Sequence, residues 1–412
     1  MPAPLKIYLD SSDFSVLSDP GQLSSPALVE LRSQLLKWKS TQEVDFIYSA
    51  VHVVEAAAVE TQHTDKAKER AKLIYELCDQ NVFTPFTDIL KNESLALAGR
   101  HSDCNFLRTD GRWFTHDLTS CTFSGASRLT IESLKPNIQK MGPGKWDRVK
   151  RDPALQKQLL AAARAHLNRG RESTIAELMS TFSIEYADAD FINQFSLGLK
   201  SHEELSAFMN VRLRDPSFLI QMRPSNYNGM NFLFDWMRNN SKYFYEIVCE
   251  VAEYLQRMCE RVEDGEAAAK MIAKSSSGEG LQSLAIQLYE RLARGVLTQT
   301  EADAIDKRTF DDFIKLAPGS YAFSSVAVDS IFRSFVKSPR RPKPSDMVDM
   351  FHSFYAPYVD VYRTDGFMAP ITEKYVKKFD TTVVGKLSDL VPMVQAILAT
   401  RSGAAVSISS DE

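Results

Sequence analysis

Strand-like and helix-like segments alternate near the start of the chain, and this alternation most constrains the fold. Leu5–Leu9 is a short strand-like run that ends at Asp10, and Pro26–Lys39 carries the leucine stripe of a helix. Phe46–Tyr48 predicts a second strand, and a helix is expected from Ala50 onwards. Strand–helix–strand order requires right-handed crossovers, so these segments predict a parallel sheet with helices on its faces.

The same alternation returns near the other end of the chain. Asp346–Phe354 predicts a helix, Tyr358–Arg363 and Thr382–Leu387 predict strands, and Ser388–Thr400 predicts a closing helix. The long middle of the chain has few strand-like runs and reads almost throughout as helix.

These patterns predict one α/β domain in two parts, residues 1–91 and 338–401, interrupted by an all-helical insertion over 92–337. A basic, proline-rich segment, Ser338–Pro344, marks the second junction. Residues 402–412 are small and polar and are expected to form a flexible tail. The predicted fold class is therefore α/β, with a parallel sheet, flanking helices and a large helical insertion.

The composition is that of a soluble globular protein. Of 412 residues, 44% are hydrophobic and 25% are charged, which argues against a disordered or fibrous chain. The start resembles no signal peptide, and no apolar run approaches the about 20 residues that span a bilayer. The five cysteines form no CxxC pair, so reduced thiols are expected rather than disulfides or a zinc site. We therefore expect a cytoplasmic protein without membrane contact.

Carboxylates stand where a parallel sheet would gather them. Asp10 closes the first strand and Asp365 follows the strand at 358–363, and the carboxyl ends of parallel strands share one edge. Glu55 lies in the helix after the second strand, while Asp346 and Asp349 share one face of a later helix. Oxygen-only ligands select hard cations, so these five residues predict a site for Mg²⁺ or Mn²⁺.

The segments that carry these acids resemble the motifs of a known nuclease family. Lys6–Asp13 resembles the first motif of PIN domains, Ser49–Glu55 resembles the second, and Ser345–Asp365 resembles the third and fourth. The resemblance covers the two ends of the chain and none of the helical middle. It implies a PIN-like sheet interrupted by the helical insertion.

The same resemblance implies which residues act. The catalytic, metal-binding quartet would be Asp10, Glu55, Asp349 and Asp365. Asp346 also qualifies as the third acid, but Asp349 is preferred because a histidine follows it three residues later, as is commoner in the family. The sequence departs from the family in having serine at position 12, where many members carry asparagine.

The function implied is a metal-dependent endoribonuclease that hydrolyses RNA phosphodiesters through Mg²⁺ or Mn²⁺. Metal-activated water needs no side-chain nucleophile, in keeping with the lack of a convincing serine or cysteine triad. Single-stranded RNA is the favoured partner. Two alternatives stay open: a PIN-like nuclease that cuts DNA, and a catalytically silent scaffold that binds RNA or a protein partner. Homo-oligomer formation is also left open.

A basic stretch in the helical middle supplies candidate phosphate contacts. Ten lysines or arginines and three acids fall within Lys135–Glu172, a net charge of +7, and Trp146 lies among them. This could be a solvated helical face or a protein-docking surface, but it also suits nucleic-acid binding, with the aromatic ring available for stacking. On that interpretation the block forms one wall of a substrate groove. The candidate residues are Lys145, Arg148, Lys150, Arg151, Arg164, Arg169 and Arg171.

Overall fold

A parallel sheet lies at the centre of the fold. The computed structural model describes residues 3–56, 63–100, 105–114, 128–182, 184–221, 278–305, 308–336 and 344–408. Four strands pair in the order β2–β1–β5–β6, and every pairing is parallel. The predicted parallel sheet is confirmed. Its strands are β1 Leu5–Tyr8, β2 Val44–Ile47, β5 Val361–Arg363 and β6 Thr382–Val384, and a separate antiparallel pair is formed by β3 Val82–Phe83 and β4 Leu107–Arg108.

Helices account for most of the described chain and flank the sheet. The helices before residue 222 are α1 Ser11–Ser18, α2 Pro26–Ser40, α3 Ala50–Ala56, α4 Thr64–Cys78, α5 Phe86–Leu97, α6 Lys135–Lys140, α7 Lys145–Arg151, α8 Pro153–Asn168, α9 Arg171–Phe182, α10 Tyr186–Ser196, α11 His202–Arg212 and α12 Pro216–Gln221. The later helices are α13 Gly278–Arg294, α14 Gln299–Ile305, α15 Phe310–Leu316, α16 Pro318–Val336, α17 Pro344–His352, α18 Ala369–Val376 and α19 Leu390–Ile408.

The chain forms two compact units. One comprises Met1–Ala56, Glu69–Phe114 and Phe234–Glu412, and the other comprises Ala57–Lys68 and Thr115–Leu233. Helices α13 to α16 therefore belong to the unit that holds the sheet, where α16 packs against α13, α18 and the segment before β5. The boundaries of these units differ from those of the segments predicted from the sequence, 1–91, 92–337 and 338–401. The helical insertion over 92–337 stays a prediction.

Several predicted elements have different bounds in the structure. The strand expected from Tyr358 begins only at Val361, because Ser353–Tyr358 forms a 3₁₀ helix that contains Pro357. Helix α19 continues to Ile408, into the segment expected as a tail, since no proline follows its first turn and alanine favours helix. Residues 222–277 of the predicted helical middle and residues 338–343 of the predicted junction lie outside the described residues.

Stacked aromatic rings fill the core beside the carboxyl ends of β1 and β5. The Tyr8 ring stacks on Tyr362 at 5.7 Å between centroids and on Tyr355 at 5.4 Å, and Phe83 stacks on Tyr355 at 5.0 Å. All four side chains are fully buried. Rigid rings of this kind lose few rotamers on folding, so they give the strand ends a fixed platform.

A buried carboxylate caps the long helix α16 of the same unit. Both carboxylate oxygens of Glu93 accept backbone hydrogen bonds, from Gly319 N–H at 2.7 Å and Ser320 N–H at 2.8 Å, and the Ser320 and Tyr358 hydroxyls donate to them as well. A side chain at Gly319 would place its Cβ 2.8 Å from the Phe354 carbonyl oxygen, so only glycine permits this close approach. Glu93 thus satisfies amides at the start of α16 that no helical carbonyl can reach.

Two further expectations concern membranes and cysteines. Among the described residues, no helix combines the length and the apolar character needed to cross a bilayer. Cys78 is a buried free thiol, and the other four cysteines lie outside the described residues.

Candidate metal centre

Asp10 and Asp365 follow two neighbouring strands at one edge of the sheet. Strand β1 pairs in parallel with β5 through Ile7 with Val361 and Tyr8 with Tyr362. Because parallel neighbours end at the same edge, the residues that follow them start from adjacent positions. The structure thus places these two predicted acids at one edge, although they lie at opposite ends of the chain.

Both aspartates bind backbone amides through their carboxylates. Oδ1 of Asp10 accepts from Ser12 N–H at 2.7 Å at the start of α1, and Oδ1 of Asp365 accepts from Phe367 and Met368 N–H at 2.8 and 2.7 Å. The Asp10 side chain also accepts from Asp13 N–H in a capping box, whereas no hydrogen bond or ion pair reaches Oδ2 of Asp365 from the described residues. This capping holds each carboxylate in a fixed orientation and leaves Oδ2 of Asp365 for another ligand.

Three acids of the predicted quartet act electrostatically on the buried phenol of Tyr362. Burial raises the pKa of Tyr362 well above its ordinary value. The negative charges of Asp10, Asp349 and Asp365 raise that pKa further, in this order of size. The charges of these three carboxylates therefore all reach one buried side chain.

Glu55 is linked by hydrogen bonds through His352 to Tyr8, one of the stacked aromatic rings of the core. Its Oε2 lies 2.7 Å from Nε2 of His352, whose Nδ1 lies 2.6 Å from the Tyr8 hydroxyl. Burial raises the pKa of Tyr8 well above its ordinary value, and the charge of Glu55 is a smaller contributor in the same direction. The side chain of Glu55 is 29% exposed and that of His352 is 4% exposed, so the acid is open to solvent while its partner is not.

His52 joins the second helix to the first strand from inside the core. Its Nδ1 accepts from Ser49 N–H at 3.0 Å, and its Nε2 lies 2.8 Å from the carbonyl oxygen of Leu9. Burial lowers the pKa of His52 well below its ordinary value, and His352 lowers it further. The neutral ring therefore donates Nε2–H to Leu9, which fixes the backbone directly before Asp10.

Asp13 and Arg363 form a buried ion pair beside the acids. Arg363 Nη2 lies 3.0 Å from Asp13 Oδ1, and Arg363 also donates to the Thr364 carbonyl. Burial raises the pKa of Asp13 to about 7, although the Arg363 charge acts in the opposite direction. Sequence reasoning gave Asp13 no role; its available signal was the three-residue spacing from Asp10, with which it forms a reciprocal capping box.

Arg70 on α4 is a second cation near the acids that sequence reasoning missed. Its Nη1 donates to the backbone carbonyl of Glu55 at 2.9 Å. Burial lowers the pKa of Arg70, while the charge of Glu55 raises it in part. No sequence signal links the two residues, because the contact is made to a backbone atom.

Of the two candidates for the third acid, Asp349 and Asp346, the structure describes only the side chain of Asp349. Asp349 is half-buried and its charge raises the pKa of Tyr362, whereas the Asp346 side chain lies outside the described part of the chain.

Within the described residues, no three or more histidine, cysteine, aspartate or glutamate side chains are grouped closely enough to hold a metal ion.

No protein-family model matches this chain. No curated protein and no solved structure matches it either. The candidate centre is therefore defined by the chain's own residues and their geometry, together with the motifs quoted above.

The candidate phosphate contacts lie in the unit that comprises Ala57–Lys68 and Thr115–Leu233, called the helical unit below, and they fall into two groups. Arg164 donates to the carbonyls of Leu197 and Gly198, and Arg171 is paired with Asp190 at 2.9 Å, so both bind within their own unit. The remaining candidates are exposed and make no ion pair with any described residue. They are Lys145, Arg148, Lys150, Arg151 and Arg169, of which the first four lie on α7 beside Trp146.

Proposed function

We propose that this protein is a Mg²⁺- or Mn²⁺-dependent endoribonuclease with a PIN-like domain. The observation that carries the proposal is that Asp10 and Asp365 follow neighbouring parallel strands at one edge of the sheet. The charges of both, and that of Asp349, act on the buried phenol of Tyr362, and Glu55 is linked to the neighbouring Tyr8 through His352. Acids that converge from distant parts of a chain repel one another, and a bound cation would remove that repulsion. Mg²⁺ and Mn²⁺ suit the donor set, since every quartet member offers carboxylate oxygen.

Each residue of the centre has a distinct part in this proposal. Asp365 would bind a cation through Oδ2, because its Oδ1 is occupied by backbone amides, and Asp10 would bind through its carboxylate. Glu55 and Asp349 would complete the set. The chemistry that bound cations supply is the activation of water and the stabilisation of the leaving 3′ oxygen. The buried ion pair between Asp13 on α1 and Arg363 at the end of β5 would hold the segments after β1 and β5 in fixed positions relative to each other.

A cleavage assay on two substrates tests the proposal. The purified protein should cut labelled single-stranded RNA in the presence of Mn²⁺, and chelation with EDTA should stop the reaction. Labelled DNA of the same sequence is the matched substrate, because metal-activated water does not itself distinguish the two sugars. Cleavage of DNA alone would favour the DNA nuclease. Binding of RNA without cleavage in Mn²⁺ would favour the silent scaffold.

The exposed cations of α7 are proposed to hold the RNA backbone. An acidic centre repels phosphate, so substrate affinity must come from positive charge elsewhere on the protein. The side chains of Lys145, Arg148, Lys150 and Arg151 are exposed, and the Lys135 ammonium lies 5.6 Å from the ring centre of Trp146. Lysine, arginine and an aromatic ring together suit a single strand.

Replacing Lys150 and Arg151 together with glutamate should weaken RNA binding and its dependence on salt. The slope of log affinity against log salt should become shallower by about 1.4, since each lost phosphate contact contributes about 0.7 on a single strand. A fluorescence titration at two or more salt concentrations measures this. The control is the double change Arg291→Glu with Lys315→Glu, which alters charge equally at exposed positions of the other unit. Equal slopes for both variants would refute the assignment of α7.

A further inference from the structure

His352 occupies a position that connects three parts of the candidate centre. It is the last residue of α17, three positions after Asp349, and its side chain is buried. Its Nε2 faces Glu55 Oε2 at 2.7 Å and Ser11 Oγ at 3.3 Å, and its Nδ1 faces the Tyr8 hydroxyl at 2.6 Å. One ring therefore contacts α3, the residue after Asp10, and strand β1.

The neighbouring groups determine which ring nitrogen of His352 carries the proton. A carboxylate only accepts hydrogen bonds, so Nε2 must be the donor to Glu55. The Tyr8 phenol is kept protonated by its burial and donates to Nδ1. The Ser49 hydroxyl, 2.7 Å from the Tyr8 oxygen, completes the arrangement by donating to that oxygen. The chain of hydrogen bonds runs from Ser49 through Tyr8 and His352 to Glu55.

We propose that His352 is a positioning residue that holds the Glu55 carboxylate by Oε2 so that Oε1 faces the cation site. This inference rests on the proposed function. No hydrogen bond reaches Oε1 of Glu55 from the described residues, so Glu55, like Asp365, has one carboxylate oxygen bonded to protein and one available to a cation. A carboxylate ligand held in this way loses its orientation when the histidine is removed. Loss of such a partner typically lowers metal affinity about 10- to 100-fold.

Two substitutions separate the two faces of the His352 ring. In His352→Gln, the amide nitrogen can replace Nε2 and still donate to Glu55, but nothing replaces Nδ1. In His352→Asn, the shorter amide can replace Nδ1 and accept from Tyr8, but nothing reaches Glu55. Both variants leave a similar gap in the core, so a purely structural role predicts equal effects.

Direct Mn²⁺ binding, measured by electron paramagnetic resonance of the free ion, tests this proposal without an activity assay. We expect His352→Asn to weaken Mn²⁺ binding at least about tenfold, and His352→Gln to restore most of the lost affinity. Thermal unfolding of both variants, without metal, checks that they are folded to the same extent. Equal Mn²⁺ affinity in wild type and His352→Asn, or equal losses in the two variants, would overturn the proposal.

Asp10→Asn distinguishes failure of this inference from failure of the proposed function. If Asp10→Asn abolishes Mn²⁺ binding while His352→Asn leaves it unchanged, the metal centre stands and the positioning role is refuted. If wild type and Asp10→Asn bind Mn²⁺ equally, the proposed function fails and the inference fails with it.

Discussion

Replacing Asp10 or Asp365 with asparagine should abolish metal-dependent RNA cleavage while leaving the protein folded. Asparagine caps backbone amides as well as aspartate does, so its side-chain oxygen can keep the Oδ1 bonds to Ser12 or to Phe367 and Met368. The second position then carries an uncharged amide that donates instead of binding a cation. We expect the cleavage rate in Mn²⁺ to fall at least about a hundredfold for each variant.

Asp215→Asn is the matched control for these variants. Asp215 also caps a helix through one oxygen, which accepts from Ser217 N–H at 2.8 Å, but it lies in the helical unit. Its replacement makes the same chemical change and should leave the cleavage rate as in wild type. Removing a charge from the acidic cluster should leave thermal stability unchanged or slightly higher. Asp10→Asn or Asp365→Asn protein that cuts as fast as wild type would place the active centre elsewhere.

Replacing Glu93 with alanine should cause the largest loss of stability among the substitutions considered. The change leaves the buried Gly319 and Ser320 amides, the buried Ser320 hydroxyl and the partly buried Tyr358 hydroxyl without their carboxylate acceptor. We expect the free energy of unfolding to fall by about 3–5 kcal/mol, in the range found when one partner of a buried charged network is removed. Urea denaturation at pH 7 measures it, and Ser320→Ala, which removes one hydroxyl only, should cost about 1 kcal/mol.

The pH dependence of stability provides a second check on Glu93. Burial raises the pKa of this carboxyl above its ordinary value of 4.5, although the four donors lower it in part. A raised folded pKa means that the folded state holds the proton more tightly than the unfolded state. The resulting stabilisation is complete below pH 4.5 and is lost as the pH rises through the folded pKa. Relative to Glu93→Gln, which cannot titrate, wild type should therefore become less stable as the pH rises above 4.5. A difference that does not change with pH would contradict this.

Local pattern was sufficient to predict the sheet and the residues at its edge. Leu5–Leu9 and Phe46–Tyr48 are short apolar runs bounded by polar residues, and β1 and β2 form there. The placement of Asp10 and Asp365 followed from one topological rule, that parallel neighbours end at the same edge. Strands β3 and β4 were not predicted, because two residues each are too short to show any periodicity.

Contacts between distant residues could not be predicted from the sequence. Glu93 resembles any solvated glutamate of an amphipathic helix, and its partner Gly319 is 226 positions away. The role of His352 depends on Tyr8, 344 positions earlier, and on Glu55, 297 positions earlier. Periodicity and capping patterns reach only a few residues along the chain, so they carry no information about such pairs.

The pairing of β1 with β5 also fixes when the centre can form during synthesis. Tyr8 leaves the ribosome long before His352, and at about 5–20 residues per second the interval is about 20–70 s. Until then β1 has β2 as its only neighbour in the four-stranded sheet, and Asp10 has no Asp365 beside it. A nascent chain therefore cannot bring Asp365 beside Asp10 before residue 365 has been synthesised, and any activity that needs both aspartates is confined to chains that have passed that point.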